Sequence, residues 1–497
     1  MRLLFRGLVL LTGLIFLSIG LGFFVAPGNM VSPFSIHPSS NAGFGTLRGD
    51  LGGLFLGMAA FSLLGAVTSK RRWLIVPTVF LVAVALGRVV NLIFDGVSGP
   101  CVQSLLLEVV LLFVLIGSLR TFPRDPLTNT MKTSAVAKTA LILFALFSLV
   151  AGGAVLFQRQ VGLAIAKRVI DQRVAIDLAA EQPDGLHVCL CGTGSPIADP
   201  KRAGPCVFVI AGKRLYVIDA GDGATRNMAL MGLQMGRIDA ILLTHFHSDH
   251  IASLGEMMLV RWASTGNSQP VEVFGPQGVE SVVEGFNRAY ELDKAYRVAH
   301  HGADIVPPSG AGGVARPFTL PEGEETKQTI LERDGLTVTA FSVDHSPVFP
   351  AVGYRFDYKG RSVVISGDTV PSRNLSRVSN GVDLLVHEGL QAELVGIIHD
   401  AAVRHGRKNL AAITADIPSY HTAPEDAAKI ARQAGVRHLA FYHIIPPLPF
   451  SYFNAAYLGG ADTFYEGPMT VGTDGLLFSL PADSDVIGLQ RLLRFTS

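Results

Sequence analysis

Leu242-Leu243-Thr244-His245-Phe246-His247-Ser248-Asp249-His250-Ile251 closes an apolar run that starts at Ile238 and is broken only by Asp239. The pattern predicts a buried strand that delivers its polar residues into a tight turn. His245 and His247, two apart on extended chain, put both imidazoles on one side, while Asp249 and His250 on the following turn face a second ion. Imidazole and carboxylate together suit zinc, and this much oxygen is also compatible with manganese or iron.

His-x-His-x-Asp-His after a buried strand resembles the signature of the metallo-β-lactamase superfamily. The resemblance covers most of Gly185 to Ser497 and is closest to the ribonuclease Z and arylsulfatase-like branch. It implies an α/β metallo-β-lactamase αββα sandwich with a dinuclear zinc cage, its remaining ligands coming from distant strand ends. His345 stands in Phe341-Ser-Val-Asp-His-Ser, Asp368 in Ser366-Gly-Asp-Thr and His443 in Phe441-Tyr-His-Ile. In the superfamily's order, His245, His247 and His345 take one ion and Asp249, His250 and His443 the other. Asp368, with two carboxylate oxygens, bridges them. Asp219, at the end of the strand Leu215 to Asp219, matches a family aspartate that orients a ligand without coordinating.

The implied chemistry is attack on an ester by a hydroxide held between two cations, with Asp249 in the catalytic set. Glu388 and His421 match positions where ribonuclease Z carries a glutamate and a histidine that donate a proton together. Glu388 is followed here by Gly389-Leu390, where ribonuclease Z has Ala-Thr. Thr422 and Glu425 can also form a capping box for a helix over Ala423 to Ala434. His300 and His301 read as part of a surface loop, and His387, His399, His405 and His438 lack a partner pattern. Gly310 to Pro321, rich in glycine and proline, reads as a substrate lid. Phe453 and Tyr457 are expected near His443.

The first third has a different character. Hydrophobic residues make up 49% of the 497-residue chain, mean hydropathy is +0.40, and the excess lies before residue 160. Five apolar stretches approach the length needed to cross about 30 Å of hydrocarbon: Gly7 to Ala26, Leu51 to Val67, Trp73 to Phe94, Val102 to Leu119 and Thr139 to Phe157. Gly53 and Gly57 suit close helix packing, and Arg88 with Glu108 is a candidate buried ion pair. Thr46-Leu-Arg-Gly-Asp-Leu-Gly-Gly and Leu86-Gly-Arg resemble an uncharacterised four-helix membrane-domain family of bacteria. The expected organisation is a transmembrane helical domain over 1–157, a linker over 158–184 and the hydrolase domain over 185–497.

Lysine and arginine flank alternate loops: Arg2 and Arg6, then Lys70, Arg71 and Arg72, then Arg120, Arg124, Lys132 and Lys138. By the positive-inside rule the amino terminus is cytoplasmic, and five spans put the catalytic domain on the periplasmic side of an inner membrane. The first 184 residues carry 15 Lys+Arg against 8 Asp+Glu, and the remainder 26 against 32, so the catalytic part is acidic by 6 charges. That balance argues against nucleic acid as a partner and for a small-molecule or lipid ester, with membrane lipid at hand. Cys189 and Cys191 alternate on one strand and Cys206 follows in the next, so buried free thiols are expected.

The functional expectation is a membrane-anchored dinuclear zinc hydrolase acting on a phosphate, sulfate or carboxylic ester. One alternative is a ribonuclease Z-type phosphodiesterase acting on RNA. Another is an accessory domain of a membrane transport or uptake protein. Oligomeric state, a dimer included, is left open by the sequence.

Overall fold

The computed structural model describes residues 2–27, 30, 41–94, 99–123, 158–323 and 325–493. The chain divides into two compact units, Met1–Leu163 and Ala164–Thr496. The helix Gln158–Ala175 crosses that boundary.

In the first unit four helices are long and apolar enough to cross a membrane: Arg2–Val25, Gly43–Thr68, Arg72–Val90 and Val102–Thr121. The fifth expected span, Thr139 to Phe157, lies outside the described residues. Among the described residues, close helix packing uses glycines other than the Gly53 and Gly57 expected from sequence. A Cβ on Gly13 or Gly20 of the first helix would meet Leu63 or Leu56 at 2.8 Å, whereas one on Gly53 or Gly57 would meet nothing within 4 Å. Arg88 Nε stands 3.4 Å from Glu108 Oε1, an arrangement that offsets the cost of ionisable groups on otherwise apolar helices.

The second unit contains fifteen strands among the described residues: β1 (Gly185–Gly192), β2 (Cys206–Ala211), β3 (Arg214–Ile218), β4 (Ile238–Leu242), β5 (Val271–Pro276), β6 (Gly313–Phe318), β7 (Lys327–Arg333), β8 (Leu336–Ser342), β9 (Val352–Tyr358), β10 (Arg361–Ile365), β11 (Leu384–Leu390), β12 (His438–Ile445), β13 (Met469–Val471), β14 (Leu476–Pro481) and β15 (Gly488–Arg491). They form two sheets, ordered β15-β14-β1-β2-β3-β4-β5-β6 and β13-β12-β11-β10-β9-β8-β7.

Side-chain alternation explains the layering. In β2, Val207 and Val209 join residues of the second sheet, such as Val338 and Phe356, in one core. Phe208 and Ile210 point the other way, among Met228, Met257 and Val283 of the covering helices. A third cluster packs Leu385 and Phe441 of the second sheet against Ala427 and Ala431 of the helix Pro424–Gln433. Period-two patterning with both faces buried therefore yields helix, sheet, sheet, helix.

Direction then places the site. β3, β4, β5 and β6 run parallel. β8 and β10, both antiparallel to β9, run the same way as β11 and β12. Their carboxyl ends form one edge in each sheet, where α/β folds gather function.

Four local expectations are corrected. Cys191 and Cys206 form a disulfide, and Cys189 is a buried free thiol. The antiparallel register of β1 on β2 sets Gly192 opposite Cys206, with an irregularity after Leu190 that brings Cys191 alongside. Gly310 to Pro321 is no separate lid, since half of it is edge strand β6, paired to β5. His300 and His301 are exposed at the end of the helix Glu291–His301 instead of on a loop. The helix Pro424–Gln433 has Ala423 at its N-cap with no side-chain cap, because the Thr422 hydroxyl donates to Thr369 O.

Candidate metal centre

His245 and His247 leave the end of β4, and Asp249 and His250 lie in the single helical turn Ser248–Ile251. His345 follows β8 and Asp368 follows β10. His443 sits inside β12 at φ 45°, in the left-handed region. That strain locally breaks the pairing of β12 with β11, between Glu388 and Gly389, and re-aims one side chain.

The structure brings all seven side chains together. His247 Nδ1 is 3.0 Å from His245 Nε2 and 3.4 Å from His345 Nε2. Asp368 Oδ2 stands 3.9 Å from both His245 Nε2 and His345 Nε2, 3.3 Å from His250 Nε2 and 3.2 Å from His443 Nε2. Asp249 Oδ2 is 3.3 Å from His443 Nε2 and 3.6 Å from His250 Nε2. Ligand atoms of His245, His247, His345 and Asp368 lie within 4.8 Å of one another, as do those of Asp249, His250 and His443. Asp368 is thus the carboxylate that touches both groups.

This donor set fits cations. Among the described residues, His250 Nε2 and Asp368 Oδ1 are buried without a hydrogen-bond partner, a costly state for polar atoms. The outward nitrogens are already engaged: His250 Nδ1 with Asp219 Oδ2 at 2.8 Å, His345 Nδ1 with Tyr420 O at 2.9 Å and His245 Nδ1 with the Thr244 hydroxyl at 3.1 Å. Each bond fixes a ring and aims Nε2 inward. Burial, followed by the neighbouring His250, holds His245 well below the usual imidazole range, and burial also lowers His345, whereas at His250 burial is outweighed by the Asp368 and Asp219 carboxylates, which raise it. Neutral imidazole is the ligating form.

Asp219 is the hub beneath the turn. Its Oδ1 accepts from Thr244 N at 2.8 Å and its Oδ2 from the Thr244 hydroxyl at 2.9 Å as well as from His250. It sits at φ 58°, a region aspartate tolerates better than most residues.

Glu388 and His421 lie beside the centre. His421 Nδ1 is 3.2 Å from Glu388 Oε1, which also accepts from Thr422 N at 2.8 Å. A ligand atom of His421 falls within 4.8 Å of those of Asp368 and His443. Burial opposes charge on His421, but the Glu388 carboxylate outweighs it and raises the imidazole above its ordinary value.

Tyr457 is buried core, donating to Gly389 O at 2.9 Å. Sequence reasoning missed the Tyr420 carbonyl, because any residue supplies a carbonyl. It also missed Asp474, whose carboxylate accepts from Thr193 N, the Thr193 hydroxyl, Ala203 N and Asn227 Nδ2 at 2.7–2.9 Å. Asp474 so holds the 193–204 loop, whose Gly204 packs against the backbone of Asp249. The turn Gly472-Thr-Asp-Gly475 was its one sequence signal.

Comparison with known proteins agrees with this geometry. The metallo-beta-lactamase superfamily model matches residues 199–439. A protein named ribonuclease Z from Mycolicibacterium gilvum is 37% identical over 265 residues, covering 53% of this chain and 85% of the relative. The chain belongs to the metallo-β-lactamase superfamily. A ribonuclease Z of Mycobacterium avium is 36% identical over 265 residues, 53% of this chain and 87% of the relative. Among solved structures, human tRNase Z, short form, aligns over 59% of this chain and 99% of its own, with 21% identity and a TM-score of 0.43. Residues 4–119 match a separate family described only as a domain of unknown function, DUF4345. The superfamily member is a metallo-β-lactamase-fold hydrolase whose His/Asp clusters suit a metal ion.

Proposed function

We propose that this chain is a membrane-anchored, metal-dependent phosphodiesterase using ribonuclease Z-type chemistry. The observation that carries the reading is the Glu388–His421 pair set against Asp368 and His443. Two zinc ions held by His245, His247, His345, Asp249, His250, His443 and Asp368 would supply Lewis acidity and an activated water. Glu388 engages His421 Nδ1 and leaves Nε2 as the nitrogen free to hand a proton to the departing oxygen. Because the relatives are named ribonucleases, RNA is the first polymer to offer.

The same reading puts the catalytic unit in an oxidising compartment. Two features support it: the lysine and arginine bias of alternate loops in the first unit and the Cys191–Cys206 disulfide, a bond rare in reducing cytosol.

The test is hydrolysis by the zinc-loaded full chain of an aryl phosphodiester and a short RNA, beside an aryl sulfate and a lactone. Phosphodiester cleavage that falls about 10²-fold or more in His421→Ala is expected. Turnover of the sulfate or lactone alone would overturn the proposal.

A further inference from the structure

The loop between β8 and β9 has two sides. It carries His345, and it is closed at its base by the bond from Val343 N to Ala351 O, 3.2 Å. Val343, Phe349 and Ala351 of this loop also wall a cavity of about 390 Å³, together with Phe318, Leu320 and Val352.

The opposite wall reaches the other ligand-bearing loop. Pro276 and Gln277, at the end of β5, line the same cavity. A Cβ on the next residue, Gly278, would stand 3.2 Å from the ring of Phe246, which separates His245 from His247. The cavity is therefore walled by, or packed against, both loops that present His245, His247 and His345. Its size is that of a small-molecule site.

Its lining is mostly apolar, with Gln277, Thr319, Thr326 and Ser342 as its uncharged polar side chains. Among the described residues Glu322 is the sole charged one in the lining, with no lysine or arginine, so a second phosphate would find no counter-charge from them. The Ser342 hydroxyl is engaged with Thr326 and Asn374, which leaves it poorly placed to read the polar edge of a nucleobase. Phe349, at the rim, is 92% exposed, so its ring is open to contact an apolar group entering the cavity.

We propose that this cavity receives an uncharged alkyl chain carried by the phosphodiester processed at the centre. This rests on the phosphodiesterase reading and narrows it: the cavity sets substrate choice by burying one arm of the ester.

The experiment measures kcat/KM of the zinc-loaded full chain for p-nitrophenyl esters of methyl, butyl and hexyl phosphate, with the 5′-thymidyl ester as the nucleobase arm. The hexyl ester is expected to exceed the methyl by about 10³-fold, from about fourfold for each of the additional buried methylenes, mainly through KM. In Phe349→Asp that ratio falls toward one. Equal rates along the alkyl series, or a thymidyl ester preferred to the hexyl, would overturn the cavity assignment while leaving phosphodiester cleavage intact.

A second readout does not need turnover. Maleimide labelling at position 349 in Phe349→Cys, followed by peptide mass spectrometry, is slowed by hexyl methyl phosphate and not by dimethyl phosphate. If no phosphodiester is cleaved but this protection persists, the reaction assignment fails and the apolar site stands. Absence of protection overturns the site.

Discussion

Asp219→Asn isolates how the centre is held without touching a proposed ligand. Asparagine tolerates the left-handed backbone at φ 58°, so the change acts on hydrogen bonding. Its carbonyl keeps the bond from Thr244 N, but its amide now faces the Thr244 hydroxyl and His250 Nδ1, where a carboxylate oxygen accepted at 2.9 and 2.8 Å. The hydroxyl rotates to accept. The imidazole has to move its proton to Nε2, the nitrogen that lies 3.3 Å from Asp368 and 3.6 Å from Asp249, and so loses the lone pair aimed inward. Loss of one charge-assisted bond costs about 1.5–3 kcal/mol of stability. Loss of the ring's orientation lowers metal affinity by about 10–100-fold, which is about 1.4–2.7 kcal/mol. Competition of the full chain against a chromophoric zinc chelator measures the affinity directly. Zinc binding by Asp219→Asn within threefold of the parent would refute the reasoning, because His250 would then not depend on Asp219 for its tautomer.

Three further outcomes are expected. Glu388→Gln lowers kcat for an aryl phosphodiester by about 10²-fold with metal stoichiometry unchanged by elemental analysis, and a change in metal content would reassign Glu388 to the cage. Burial pushes the Asp474 carboxyl up to about 6, above the roughly 3.9 of an unfolded chain. The native state thus holds that proton more tightly, so the contribution is present below about pH 4 and is lost as pH rises through 6. Asp474→Asn, which cannot ionise, should flatten the Tm slope across that window, by an amount corresponding to about 2–3 kcal/mol. An unaltered slope in calorimetry would count against it. Replacing both Cys191 and Cys206 by serine, which opens a loop with a sequence separation of 15, is expected to destabilise the catalytic unit by about 3 kcal/mol, read as a fall in denaturation midpoint.

The sequence alone determined the character of each part of this protein. Apolar stretches before residue 160 declare membrane-length helices by composition, and alternating apolar residues in segments such as Val207 to Ile210 declare strands buried on both faces. His245, His247, Asp249 and His250 could be singled out because they share one turn, and a contiguous motif carries its geometry with it. His345, Asp368, His443, Glu388 and His421 were reached through resemblance, since a lone histidine at a strand end has no local mark of its partners.

Tertiary structure decided everything that depends on which strand lies beside which. The pairing register of β1 and β2 made Cys191 and Cys206 neighbours, against the expectation of free thiols. The order of the second sheet carried the Tyr420 carbonyl to His345 across 75 residues, and the pairing of β14 with β1 in the first carried Asp474 to Thr193 across 281. Gly310 to Pro321 became an edge strand running on into a cavity wall because β5 offered it an open edge. Such contacts are fixed by chain direction and loop path, which no short window of sequence contains, whereas composition and periodicity are properties of the window itself.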